Sequence, residues 1–197
     1  MATYYKHPTA LVETEDVGEG TRIWALTHVM GGVHIGAHCN IGSHCFIEAG
    51  VWIGDRVTVK NGNMIWEGIT IEDDAFIGPQ VVFTNDRRPR SPRFPGARAR
   101  YETKSWLVPT RIGRGASIGA GAVILAGCDV GPFALVGAGA VVTHPVPAYA
   151  VVFGNPARHQ GWVCECGDKL QPHGSKWRCP SCARVYEQIG DELRALS

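Results

Sequence analysis

Apolar residues never gather into a long run in this 197-residue chain. Nothing approaches the roughly 18 consecutive apolar residues that a membrane helix needs, so no membrane insertion is expected. Charge of one sign is missing too. Nineteen Lys and Arg against 18 Asp and Glu leave a net charge of +1, which gives no overall pull toward nucleic acid or an anionic membrane. The opening stretch Met1 to Pro8 holds no apolar leader, and the cytoplasm is the expected compartment. Seven cysteines, an odd number, argue against a disulfide framework. Glycine, by contrast, is plentiful at 25 residues, which asks for tight turns or a repeat. With 45% hydrophobic and 19% charged residues, the chain has the composition of a folded globular protein.

The repeat has a period of six. Leu11, Val17, Ile23, Val29, Ile35, Ile41, Ile47, Ile53, Val59, Ile65, Ile71, Ile77 and Phe83 follow at that spacing, and a second run holds Ile112, Ile118, Ile124, Val130, Val136 and Val142. Glycine often comes next, as at Gly36, Gly54, Gly78, Gly119 and Gly137. Two positions before the aliphatic residue the side chain is usually small or β-branched, as at Val33, Cys39, Cys45, Ala75, Ala116 and Cys128. Side chains two apart in a strand share a face. Each unit therefore sends one large and one small group into a core and then turns. One unit cannot bury its face alone, so the units must stack as a solenoid. Helical spacing of three and four is absent.

The register breaks between Phe83 and Ile112, and residues 84–108 read as an inserted loop with Pro89, Pro92, Pro95 and Gly96 in it. Long loops inside compact repeats are often functional. The repeat ends near Arg158. The chain thus divides into residues 1–160, the solenoid from Leu11 onward, and residues 161–197, a four-cysteine segment whose end, Glu187 to Leu196, is helix-compatible.

The stretch Val59 to Pro79, with Lys60-Asn61-Gly62 and Trp66-Glu67-Gly68, leads into Phe83-Thr84-Asn85-Asp86. Farther on come Val136-Gly137-Ala138-Gly139-Ala140 and Gly154-Asn155-Pro156-Ala157-Arg158. Over about residues 7–163 this resembles the nucleotide-sugar N-acetyltransferases of the left-handed β-helix class. The branch it resembles acetylates the 3-amino group of UDP-2-acetamido-3-amino-2,3-dideoxyglucuronate for surface polysaccharides. The resemblance implies three hexapeptides per coil and a left-handed sense, where the crossover rule for sheets would favour the right. The expected fold is all-β: a left-handed parallel β-helix with one inserted loop and a small zinc-ribbon-like appendage. The resemblance also implies a homotrimer that binds acetyl-CoA and the nucleotide sugar between subunits.

Acetyl transfer to an amine requires a neutral amine held near the thioester, a destination for its proton, and donors for the developing oxyanion. By resemblance Asn85 lies near the reacting amine; its amide can orient but is a poor base. Asp86 is a second amine partner. Glu67 is the carboxylate candidate for general base or anchor, against a solvated corner residue. His28 reads as a candidate base or a packed corner histidine; His34, His38 and His44 read as outward corner residues. The thiolate of departing coenzyme A is an alternative proton acceptor. Lys60 and Asn61 are candidates for sugar or diphosphate. The loop is basic, with Arg87, Arg88 and Arg90 the nearest forks for phosphate or carboxylate. Gly119, Ala120, Gly137 and Ala138 leave room at the coil edges, where the resemblance implies the pantetheine arm, with Arg158 to meet a coenzyme A phosphate; each small residue also satisfies the repeat.

Cys39, Cys45 and Cys128 fall on inward positions and read as core. Cys164, Cys166, Cys179 and Cys182 form C-x-C and C-P-x-C pairs twelve residues apart, a donor set suited to tetrahedral structural zinc. The first pair is one residue tighter than usual, and Ala183 stands where ribbon knuckles carry glycine. A zinc carbonic anhydrase of the same repeat class would need histidine where Asn61 and Trp66 stand. Nucleic-acid binding is not expected, because the basic run lacks an aromatic platform. An O-acetyltransferase and a non-catalytic scaffold remain as rivals.

Overall fold

A computed structural model describes residues 3–190 and 192–196. Met1, Ala2, Asp191 and Ser197 lie outside the described residues. Among the described residues no helix is long and apolar enough to cross a membrane.

The sixes become short parallel strands stacked in three sheets. Ile41 pairs with Val59 and Val59 with Ile77, so residues eighteen apart occupy equivalent places in successive coils and three hexapeptides make one coil. One face has nine strands, the second seven and the third four. The aliphatic repeat residues fill the interior: Ile23, Val29, Ile35, Ile41, Ile47, Ile53, Ile65 and Ile71 are fully buried. Burial also pushes up the thiols of Cys39, Cys45 and Cys128, which are core residues as expected.

The spacing of six fails at its first member. Leu11 pairs with His28 and Val12 with Val29, so Val12 points inward and Leu11 is 54% exposed. The step from Val12 to Val17 is five and not six, and the bridge of Val17 to Ile35 restores the frame. The solenoid also starts earlier, with Tyr5–Lys6 paired to Arg22–Ile23. His28 and His34 are not corner residues either; they lie in the strands His28–Val29 and His34–Ile35. His34 stacks on Trp52 with centroids 5.4 Å apart and pairs with Asp16 at 2.8 Å. His38 and His44 do stand at turns, in the left-handed region.

Some inward positions are polar, each bonded to a neighbouring coil. Asn63 is fully buried. Its amide nitrogen donates to the carbonyls of Lys60 and Gly78 at 2.6 and 2.9 Å, and its oxygen accepts from the Val81 amide at 3.0 Å. Thr21 and Thr27 do the same on other coils, donating to the Gly36 and Gly42 carbonyls. Full pairing is what makes such groups tolerable in an aliphatic core.

Beyond the solenoid the expected helix is absent. Glu187 to Leu196 belongs to the antiparallel strands Val185–Ile189 and Glu192–Leu196. The β-branched and aromatic residues of Val185-Tyr186 and the partners they meet outweigh the helix-compatible charges.

Candidate active site

Residues two past the aliphatic residue of the seven-stranded face form one column along an edge of the prism. Glu67 follows Ile65, Asn85 follows Phe83, Ala126 follows Ile124 and His144 follows Val142. The inserted loop springs from this edge. Its base is closed by the Val108 amide donating to the Asn85 carbonyl at 2.9 Å, and it carries two short 3-10 turns, Pro95–Tyr101 and Lys104–Trp106.

Asn85 and Glu67 are brought together. The Asn85 side-chain nitrogen donates to the Glu67 carbonyl at 3.2 Å, so its oxygen is the atom that can accept from a substrate amine. The Glu67 carboxylate pairs with Lys104 of the loop, and the Glu67 amide donates to Glu48 at 2.8 Å. Asp86 faces inward to the loop: it accepts from the Arg88 amide at 2.8 Å, the Tyr101 hydroxyl at 2.9 Å and the Arg100 guanidinium at 2.5 Å. Burial pushes its carboxyl up, but these donors outweigh it and hold the group below its ordinary value. Asp86 is thus the clamp that shapes the loop.

His28 is not near Asn85 in the same chain. It lies on the seven-stranded face three strands away, roughly 14 Å at ordinary strand spacing, and pairs with Glu13 at 2.8 Å. Arg87 reaches across the edge to the Ala126 carbonyl at 2.9 Å, while Arg88 and Arg90 are exposed. The ion pairs of the loop are Arg100 with Asp86 and Lys104 with Glu67, which leaves Arg87, Arg88 and Arg90 without a carboxylate among the described residues. Thr84, Asp86, Arg87, Leu125, Gly127, Thr143 and His144 line a groove of about 660 Å³.

Lys60, Asn61, Gly119, Ala120, Gly137 and Ala138 lie on the other edge of the same face, between the nine- and seven-stranded sheets. Asn61 accepts there from the Ser43 amide at 3.1 Å. A methyl at Gly137 would meet Phe153 at 2.7 Å and one at Gly78 the Ala120 amide at 2.7 Å, so coil stacking alone demands these glycines. Gly121 and Gly139, by contrast, face open space. Arg158 begins the strand Arg158–Trp162 and lines a smaller hollow of about 220 Å³ with His144 and His159.

Sequence reasoning counted Arg100 only among the basic residues of the loop, and it missed Tyr101 and His144. The last was findable, since its phase relative to Val142 matches that of Asn85 relative to Phe83. Tyr101 and Arg100 carry no periodic signal.

The four tail cysteines converge. Their sulfurs lie within 4.8 Å of one another, with Cys164 to Cys182 at 3.4 Å and Cys166 to Cys179 at 3.5 Å. These separations are too long for a disulfide of about 2.05 Å. They approach the roughly 3.8 Å between sulfurs around a tetrahedral ion at about 2.3 Å. The Cys182 amide points at Cys179 and draws that thiol down to about 7. The donor set can hold a metal ion.

A parallel solenoid of hexapeptides with a loop-covered polar edge defines a class, and the comparisons agree with it. The family model described as bacterial transferase hexapeptide, six repeats, matches residues 16–49 and 109–144. The chain belongs to these hexapeptide transferases. It is 48% identical over 185 residues to dTDP-3-amino-3,6-dideoxy-alpha-D-galactopyranose 3-N-acetyltransferase of Aneurinibacillus thermoaerophilus, covering 94% of this chain and 91% of that protein. The acetyltransferase domain of PglB from Neisseria gonorrhoeae shares the fold with a TM-score of 0.55 at 21% identity, covering 80% of this chain and 58% of that one. WeeI from Acinetobacter baumannii matches with a TM-score of 0.50 at 26% identity, over 79% of this chain and 57% of that one.

Proposed function

We propose that this chain transfers the acetyl group of acetyl-CoA to the amino group of a nucleotide-linked sugar. The observation that carries the reading is that candidate groups occupy both margins of one apolar face. The outward residues of the seven-stranded sheet are Leu11, His28, Phe46, Met64, Val82, Val123 and Val141, with Leu11, Met64 and Val82 more than 40% exposed. The other faces mix polar residues, Arg22, Asn40, Thr58 and Arg111, with the exposed Phe76 and Trp52, whereas this one is apolar apart from His28. Such an apolar strip fits burial against further copies. Three copies around a three-fold axis would set the Asn85 margin of one against the Lys60 and Gly119 margin of the next, with the ligands between.

The amine nitrogen attacks the thioester carbon. A C–N bond forms and the carbonyl π electrons move to oxygen, and main-chain N–H groups of the coil edge donate to the oxyanion. Collapse breaks the C–S bond, and the departing thiolate takes the proton that nitrogen gives up. Asn85 accepts from the amine and aims it. Glu67, tied to Lys104, and Asp86, held by Arg100 and Tyr101, fix the loop that presents Arg87, Arg88 and Arg90 to the diphosphate. Because each carboxylate is engaged, an amine, which needs no strong base, suits the site better than a hydroxyl. The acceptor class follows the 48% identical relative: a nucleoside-diphosphate 3-amino hexose, with a UDP-3-amino uronate second. Its product would be a precursor for surface polysaccharide. Both substrates are cytoplasmic metabolites, which makes the cytoplasm the compartment of the reaction. The four thiolates hold a zinc ion whose role is structural, since four protein ligands leave no open position.

The test is thiol release from acetyl-CoA in the presence of dTDP- and UDP-linked amino sugars, with mass analysis of the sugar. Release with a gain of one acetyl on a 3-amino sugar supports the reading. Acetyl-CoA binding with silence across the panel, or release only with a hydroxyl acceptor, contradicts it.

A further inference from the structure

A solenoid has an open end, and its last coil must be covered by something with a polar outer side. Here the nine-stranded sheet ends with Ala150–Phe153, parallel to Leu135–Val136, and then Arg158–Trp162 folds back antiparallel along it. The chain passes directly into the knuckle. The Val163 amide donates to the Tyr149 carbonyl and the Leu170 amide to the Trp162 carbonyl, at 2.8 and 2.9 Å. Trp162, Cys164, Leu170, Cys179, Tyr186 and Leu193 are buried in the same apolar cluster as Ala150 and Val152.

An aromatic stack joins the knuckle to the solenoid. Phe133 stacks on Tyr149 at 5.4 Å, and Tyr149 meets Tyr186 edge-on at 5.3 Å. Tyr186 is fully buried. Its hydroxyl lies 3.0 Å from the Cys164 sulfur and accepts from the Glu165 amide at 3.2 Å. Glu165 also accepts from the Tyr149 hydroxyl at 3.2 Å and from Arg184 at 2.5 Å. The tail sheet itself is thin. Its strands expose most of their side chains, and so small a core needs a staple.

We propose that Cys164, Cys166, Cys179 and Cys182 bind one tetrahedral, thiolate-preferring divalent ion, and that this ion locks the tail down as the end cap of the solenoid. The proposal deepens the structural-zinc reading by naming what the metal secures. Cys164 and Cys166 lie in the turn that follows the strand Arg158–Trp162, and Cys179 and Cys182 in the connection that leads to Tyr186. Metal bonds therefore tie the Tyr186 side of the cap to the Tyr149 side. Without them the cap is held by the aromatic stack, a few hydrogen bonds and the small apolar cluster around Leu170 and Leu193.

The experiment uses the full chain. Metal content is measured in protein purified without added metal, and cobalt is exchanged in to give the visible ligand-field absorption of a four-thiolate site. Amide hydrogen exchange is then followed with the metal in place and after its removal with a mercurial and chelator, thiols being restored. The expected result is about one equivalent of metal per chain and, on its loss, at least tenfold faster exchange in residues 149–153 and 161–170. Exchange around Ile41 and Val59 should stay unchanged. Cys182→Ser should reproduce the metal loss. Tyr186→Phe should keep the metal. Metal-free protein with a protected tail overturns the metal site. Bound metal whose removal leaves residues 149–153 protected overturns the cap. Neither readout depends on acetyl transfer, so failure of the enzymatic proposal is seen separately.

Discussion

Replacing Asn85 by alanine removes an amide from the edge and almost nothing from the core. The residue is half-buried, and its nitrogen makes one rather long bond to the Glu67 carbonyl, a loss of about 0.5–1 kcal/mol in stability. The effect on turnover should be larger. As the amine attacks, its nitrogen gains positive charge and its N–H groups become stronger donors. A hydrogen bond to a charged group is worth about 1.5–3 kcal/mol, which converts to a roughly 10- to 150-fold loss of kcat/KM. Because that bond strengthens only on the way to the transition state, kcat should carry most of the loss and KM little. Asn85→Asp keeps an acceptor oxygen and should retain more turnover than alanine. The assay is steady-state thiol release with the preferred amino sugar, with oligomer size checked for each variant. An Asn85→Ala protein of normal assembly that turns over within about twofold of wild type would refute the assignment.

Lys104→Met should free the loop from Glu67 and raise KM for the nucleotide sugar by up to roughly fivefold, since an exposed pair is worth about 1 kcal/mol or less; a large fall in kcat with unchanged KM would instead mark Glu67 and Lys104 as chemical participants. Asn63→Ala strands three buried partners of one amide and should cost about 2–4 kcal/mol, read as a lowered thermal midpoint; a shift of under a degree would show that water or repacking replaces the ladder. Ala183 sits at φ 61°, so Ala183→Gly should stabilise the tail by about 1 kcal/mol, visible as slower exchange there. Acidification should loosen the loop: the folded Asp86 carboxyl lies below its ordinary 3.8, so its contribution is complete above that pH and is lost as pH falls through the folded value. Proteolysis within residues 87–106 should then rise below about pH 4, and Asp86→Asn should make the same cleavage independent of pH.

The solenoid could be read from the sequence because a coil imposes a fixed period. Ile41, Val59 and Ile77 are eighteen apart for the same reason that they touch. Leu11 shows the limit of that reading: a five-residue segment before Val17 shifts the frame, and Leu11 and Val12 are both aliphatic, so the pattern does not say which one faces in. Asn63, Thr21 and Thr27 interrupt the aliphatic pattern because they answer main-chain groups of neighbouring coils, which no local spacing records. The tail was misread as helical because Glu187, Glu192 and Arg194 suit a helix, whereas the cross-strand partners that decide its fate lie elsewhere in the chain. The site followed the same divide. Asn85 came from the resemblance and Glu67 from its glutamate–glycine corner, and the four cysteines announced themselves by spacing. The engagement of Asp86 by Arg100 and Tyr101 depends on the path of an aperiodic loop, so its role as a clamp emerged only in three dimensions.

The central claim is that an amine, aimed from the Asn85 edge, is acetylated. The most direct measurement offers the protein acetyl-CoA and two nucleotide sugars that differ only at C3, one with an amino group and one with a hydroxyl, and locates the acetyl group by mass fragmentation. Acetylation of the amino sugar alone, at nitrogen, is the expected result, lost together with turnover in Asn85→Ala. Acetylation of the hydroxyl sugar at a comparable rate would contradict it.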